Sequence, residues 1–259
     1  MKERWSLQLG DSPIVATAVH NGHDMRSELI NLCALSDAER FREEDPYTDI
    51  LAAVAPTQLV PVFSRFEVDL NRARHEAVYK TSEDAWGLNL WKKDLPQSFI
   101  EDSLKIYDAY YAQFHSLLTQ VENKFGAFIV LDIHSYNFRR PGPDQPPEDP
   151  KKNPEVNVGT GTMDRTYWGP VVDRFIADLR KYDFNARSLD VRENVKFRGR
   201  QGPRFVHQNF PKTGCALALE FKKIFMDEWT GQLNQPVLDQ LHTALQSTLP
   251  GLLEELGKR

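Results

Sequence analysis

The sequence predicts an α/β protein, a mixed or parallel sheet flanked by helices. Short apolar runs of strand length alternate with stretches of helical period. Those runs also end in polar, metal-capable residues, and in α/β sheets ligands sit beyond the strand ends. The chain has 259 residues with no internal repeat and no Pro/Gly/Ser-rich linker, so one catalytic-size domain spanning 1–259 is expected.

In order along the chain, Pro13–Val19 reads as a buried strand and runs into His20-Asn-Gly-His23. Val60–Leu70 has room for one long strand or two short ones. From Ser98 to Gly126, Ile100, Leu104, Tyr107, Tyr111, Phe114, Leu118, Val121 and Phe125 recur every three or four residues, which predicts a long helix with one face on the sheet. Ser98 and Glu101 have the spacing of a capping box at its start. Ala127–Ile133 is the clearest buried strand and leads straight to His134. Arg139–Asn157 is too rich in proline to form an element and reads as a long functional loop next to His134. The Gly-Thr-Gly after Asn157 is a weak anion-nest signal that turn geometry explains equally well. Helices follow around Val171–Tyr182 and from Pro236 to Leu256, with Pro250 expected to break or kink the latter. Between them lies a third buried strand, Ala216–Phe221, interrupted by Glu220.

Composition narrows the function. Acidic residues outnumber basic ones 37 to 32 with no block of like charge, which argues against a nucleic-acid partner, because neutralising phosphates needs a basic stripe. The Met1–Gly10 stretch holds no signal-like apolar run, and no segment approaches the roughly 20 apolar residues of a membrane span. A cytoplasmic protein without a membrane partner is the natural reading. Cys33 and Cys215 are far apart and lack a CxxC partner, so neither a disulfide framework nor a thiolate zinc site is indicated. Cys215 opens an apolar strand, where a buried inert thiol is commoner than a nucleophile.

Four features gather chemistry at element ends. His20 and His23 have the spacing of a first and second metal position, or of imidazoles that stabilise a turn. In Glu43-Glu44-Asp45-Pro46, Asp45 looks like an N-cap followed by proline at the first helical position, or like a carboxylate aimed at a metal. Strand alternation places Asp132 and His134 on one face, so that Asp132 can orient the imidazole. Glu220 stands alone in Ala-Leu-Ala-Leu-Glu-Phe, where a charge is costly unless paired or catalytic. A fifth segment, Ser64 to Arg72, supplies Arg65, Asn71 and Arg72. Arginine grips carboxylates bidentately, so an anionic small-molecule substrate is suggested.

Taken together, V-H-N-G-H, E-E-D-P-Y-T-D, S-R-F-E-V-D-L-N-R, L-D-I-H-S-Y and A-L-A-L-E-F resemble the N-formylglutamate amidohydrolase family over Pro13 to Glu228. The D-L-N-R segment with its upstream Arg and the H-S-Y segment are the most specific. That family is related to the zinc carboxypeptidases and to the aspartoacylase and succinylglutamate desuccinylase group. The resemblance implies a three-layer α/β/α sandwich with a mixed central sheet, of the zinc-exopeptidase (phosphorylase/hydrolase-like) type, and one Zn2+ per chain. It implies His20 and His134 as the first and third metal ligands and Asp45 as the second, with His23 as the alternative to Asp45. Arg65 would polarise the scissile carbonyl, Asn71 and Arg72 would grip the substrate carboxylate, and Glu220 would be the catalytic base. The expected activity is removal of an N-formyl or N-acyl group from an acidic amino acid. A carboxypeptidase, another acyl-amino-acid deacylase, or an idle binding protein for an acidic ligand remain alternatives.

Overall fold

The computed structural model describes residues 3–259; of the N-terminal stretch read above, Met1 and Lys2 lie outside it. The elements run β1 (Trp5–Gln8), β2 (Ile14–Thr17), α1 (Ser27–Leu32), α2 (Asp37–Glu43), α3 (Thr48–Ala52), β3 (Thr57–Pro61), α4 (Gln97–Phe125), β4 (Phe128–Tyr136), β5 (Val156–Gly159), α5 (Arg165–Lys181), β6 (Val191–Glu193), α6 (Gln201–Asn209), β7 (Gly214–Lys222) and α7 (Gln235–Leu256). The seven strands form one mixed sheet in the order β1-β3-β2-β4-β7-β5-β6. β2, β3, β4 and β7 are mutually parallel at its centre, β1 lies antiparallel on β3, and β5 antiparallel on β7.

Strand alternation divides the core into two layers. Ile129, Leu131 and Ile133 of β4, with Leu217 and Leu219 of β7, pack against Trp168, Val172 and Phe175 of α5 and Leu241, Leu245 and Leu252 of α7. Phe128 and Val130 of β4, with Ala216 of β7, face Tyr110, Phe114 and Leu118 of α4 and Val206 of α6. The result is the expected three-layer α/β/α sandwich. Among the described residues, no helix is long and apolar enough to cross a membrane.

Several local expectations change. Val60–Leu70 stays in the sheet only as far as Pro61, because the polar groups beyond it are held elsewhere: Ser64 N donates to Asp24 O (2.7 Å), and Glu67 takes Arg26 N (3.0 Å) and the Arg4 guanidinium. α4 begins at Gln97 with Pro96 at the cap position, so Ser98 and Glu101 lie inside its first turn and make no capping box. α5 starts before Val171, at Arg165, where the Asp164 carboxylate accepts from Tyr167 N (3.1 Å). α7 runs through Pro250 to Leu256. The proline removes one helical hydrogen bond, and burial of Leu245, Leu252 and Leu256 on either side keeps the helix whole.

Candidate active site

The parallel strands deliver their polar ends to one place. His20 sits in the turn that follows β2, and Asp45 lies between α2 and α3. The two segments are tied by Asp45 N donating to His20 O (2.9 Å). Asp45 is not a helix cap: Tyr47, with φ 68°, occupies that position for α3, and the Asp45 carboxylate turns inward. His134 projects from β4 directly opposite Glu220 of β7 in the ladder, so both side chains emerge on the same face. His20 Nδ1, His134 Nδ1 and Asp45 Oδ2 form a triangle with all three edges 3.3 Å. These three buried side chains could hold a metal ion.

Each imidazole is oriented from behind. His20 Nε2 meets Asp69 Oδ1 at 2.7 Å, and His134 Nε2 meets Asp132 Oδ2 at 3.1 Å, as strand alternation predicted. Such pairing turns the other ring nitrogen, Nδ1 in both cases, towards the triangle. Burial opposes ionisation of Asp45, but its bonds to His134 and His20 outweigh it and hold its pKa below the usual carboxylate range. Burial likewise disfavours a charged His134, yet the Asp132 carboxylate pushes that imidazole well above its ordinary pKa.

The triangle forms part of the wall of a cavity of about 350 Å3, within the range of small-molecule sites. Glu220 lines the same cavity, is buried, and accepts no hydrogen bond from any described protein group. Burial raises its pKa to about 7; His134 opposes the rise and Asp45 adds to it. Arg65 also faces the cavity. Its Nη2 donates to Asp69 Oδ2 (3.0 Å), its Nε to Tyr79 Oη (3.3 Å) and its Nη1 to Glu43 O (3.4 Å), leaving two of the five guanidinium N–H groups unspent. The Trp86 indole covers its face at 4.6 Å.

Other predicted residues are placed differently. Asn71 lines the cavity, but its Oδ1 accepts from Gln201 N (3.1 Å) and its Nδ2 lies 3.5 Å from His134 Nε2, so it links α6 to the histidine. Arg72 is absent from the cavity wall. It donates to Asp84 O (2.6 Å) and lies over Tyr79 (4.4 Å). His23 stands outside the triangle, with Nδ1 paired to Glu44 and Nε2 3.0 Å from Asp37. The proline-rich loop contributes Arg140, which pairs with Glu43 across the cavity rim (3.1 Å). The Gly159 and Gly161 positions make no nest; they let the Arg198–Gly199 backbone pass close by.

The sequence reading missed Asp69 and the Lys196–Arg200 segment. Asp69 accepts from His20, Arg65, Asn71 N (2.8 Å) and Tyr79 Oη at once. Its signal was its position between Arg65 and Arg72, in reach of both. Lys223 Nζ donates to Arg42 O (2.6 Å) and Glu44 O (2.7 Å), pinning the backbone that carries Asp45. This lysine, buried directly after the end of β7, serves the backbone beside Asp45 and not Glu220.

Comparison with known proteins follows the same lines. An N-formylglutamate amidohydrolase from Ralstonia eutropha JMP134 superposes with a TM-score of 0.76 at 18% identity, covering 98% of each chain. A gene product from Agrobacterium tumefaciens gives 0.69 at 15% identity, covering 97% of this chain and 96% of that one. A metallo-carboxypeptidase from Burkholderia cenocepacia matches loosely, at 0.40 and 15% identity, over 93% of this chain and 56% of that one. A search of curated protein sequences finds no match. Residues 12–226, most of the chain, match the N-formylglutamate amidohydrolase family, and the protein accordingly belongs to that family of hydrolases acting on C–N amide bonds.

Proposed function

We propose that this chain, acting as one catalytic domain, is a zinc-dependent amidohydrolase that removes an N-formyl or N-acyl group from an acidic amino acid. The observation that carries the reading is the shared cavity: a buried carboxylate with no protein hydrogen bond, Glu220, faces the same space as the His20–Asp45–His134 triangle. A carboxylate left unpaired there is costly to stability and is useful if it handles a proton during the reaction.

The donor set suits zinc. Two imidazole nitrogens and one carboxylate oxygen are its preferred N/O ligands, and tetrahedral coordination at 2.0–2.1 Å spaces donors by about 3.3–3.4 Å, as the 3.3 Å edges do. Three protein ligands leave a position open, as catalytic zinc sites do. When bound, zinc supplies a Lewis acid that lowers the pKa of water from 15.7 towards about 7. The remaining work belongs to the chain. Glu220 takes the proton of the attacking water and delivers it to the departing amine, a task matched by its pKa of about 7. Arg65, with two unspent N–H groups, stabilises negative charge developing on the carbonyl oxygen. A cavity of about 350 Å3 suits an acyl amino acid better than a peptide chain. Both cysteines are free and buried, which accords with a reducing cytoplasm.

The test is to purify the protein, measure bound zinc, and assay N-formylglutamate against other N-acyl amino acids. Glu220→Gln should retain the metal and lose roughly 10²- to 10⁴-fold in kcat. Full activity in that variant excludes Glu220 as the base.

A further inference from the structure

The reading above requires cations for the substrate's carboxylates, and Arg72, the residue that family resemblance offered, does not reach the cavity. Most cations that do line it are already engaged. Arg65 is paired with Asp69 (3.0 Å), Arg140 with Glu43 (3.1 Å) and Lys196 with Glu148 (3.1 Å), while Lys223 is bound to two carbonyls. Among the described residues of the cavity wall, Arg198 and Arg200 are the two cations whose side chains make neither an ion pair nor a hydrogen bond.

Their backbone, in contrast, is tightly held. Asn157 accepts from Lys196 N (2.8 Å) and donates to Phe197 O (2.8 Å), Gly161 N donates to Arg198 O (2.7 Å), and Gln201 N donates to Asn71 Oδ1 (3.1 Å). Gly199, at φ +84°, passes so near Gly159 that a Cβ there would lie 2.6 Å from Gly199 N. A left-handed glycine between two exposed arginines, clamped to β5 on one side and to Asn71 on the other, fixes the backbone from which both side chains leave the cavity wall. Fixing that backbone lowers the entropy that binding must overcome, while the guanidinium forks keep all their donors for a ligand.

We propose that Arg198 and Arg200 are the specificity-determining residues of this site, receiving the two carboxylates of a dicarboxylic amino-acid substrate. The proposal rests on the acidic-amino-acid reading of the same cavity. Two free guanidinium groups fit two carboxylates, whereas a monocarboxylic substrate would leave one fork unused.

Titration calorimetry of the metal-loaded protein with L-glutamate and glutarate tests it, with L-alanine as the monocarboxylic control. Arg198→Ala and Arg200→Ala should each weaken L-glutamate roughly ten- to a hundredfold, and only one of the two, the arginine that takes the α-carboxylate, should weaken L-alanine comparably. Arg204→Ala, an exposed arginine outside the cavity, should change nothing. Lysine variants at 198 and 200, which keep charge and lose the fork, should fall between. Unchanged glutamate affinity in both alanine variants, an equal loss in Arg204→Ala, or no glutamate binding by the wild type each overturns the clamp. Turnover of N-formylglutamate is followed in parallel. Arginine-dependent glutamate binding without turnover of any N-acyl amino acid removes the hydrolase reading and keeps the clamp. Turnover with undiminished glutamate selectivity in the double variant does the opposite.

Discussion

Replacing Asp69 by asparagine removes one charge from the most heavily bonded carboxylate behind the His20–Asp45–His134 triangle. Burial opposes ionisation of Asp69, yet the His20 and Arg65 charges and the bonds from His20 and Tyr79 hold it well below the usual carboxylate range. In the variant, one oxygen becomes an NH2 group. If the remaining oxygen keeps His20 and Asn71 N, the new donors face Arg65 Nη2 and Tyr79 Oη, leaving Arg65 without its anion. Removing one partner of a buried pair costs about 3–5 kcal/mol. Unfolding entropy near 2.1 cal/mol/K per residue gives about 0.5 kcal/mol/K for 259 residues, so Tm should fall by about 6–9 °C. Metal affinity should fall by roughly 10- to 100-fold, because His20 loses its orienting carboxylate. Calorimetry on chelator-treated protein isolates the first effect, and competition with a chromophoric chelator measures the second. A metal-free Asp69→Asn protein melting within a degree of wild type would refute the buried-charge argument. Loss of Tm with unchanged metal affinity would refute the assignment of Asp69 as the group that orients His20.

Three further outcomes follow from the packing. His207 is held neutral, its Nε2 accepting from Ala216 N (3.0 Å) and its Nδ1 2.9 Å from Thr162 Oγ1, and burial lowers its pKa from 6.5 to about 4. The unfolded chain therefore takes up a proton first as pH falls, so stability is lost from about pH 6.5 down to about 4, by up to about 3 kcal/mol; urea midpoints across that range should flatten in His207→Gln. In Gly202→Ala the new Cβ would meet the Asp132 carboxylate at 3.1–3.3 Å, so zinc affinity, read by chelator competition, should drop severalfold although Gly202 touches no ligand. Gly159→Ala places a Cβ 2.6 Å from Gly199 N, which costs roughly 1–3 kcal/mol in a chemical melt and weakens L-glutamate by displacing Arg198 and Arg200.

Much of this protein was legible because its signals are local. A buried strand in a parallel sheet is a continuous apolar run, so Ala127–Ile133 and Ala216–Phe221 announced β4 and β7, and a lone Glu220 in such a run was conspicuous before any fold was known. The α4 face was equally clear from its spacing. Asp132 and His134 needed only strand alternation to be paired. The short strands β1 and β6 held too few residues for a pattern to be read, α6 was obscured by Gly202 and Pro203 at its start, and the strand expected to continue past Pro61 ended there because Asp24, Arg4 and Arg26 claim its polar groups.

Which polar side chains meet at the candidate site was decided by tertiary structure. Asp45 was preferred to His23 along the chain only by resemblance, since Asp45 is joined to His20 through segments whose course no local rule dictates. In the fold, the Asp45 N to His20 O bond and the Lys223 anchor turn Asp45 inward, while Glu44 and Asp37 hold both nitrogens of His23. Arg72 and Arg198 are both arginines in polar segments, and the difference between them is where a backbone runs. One donates to Asp84 beside Tyr79, and the other is carried to the cavity wall on a segment that Asn157 and Gly159 fasten to β5. Periodicity records which face of an element is buried; which distant side chains then meet depends on close backbone approaches and long-range hydrogen bonds, and these exist only once the chain has folded.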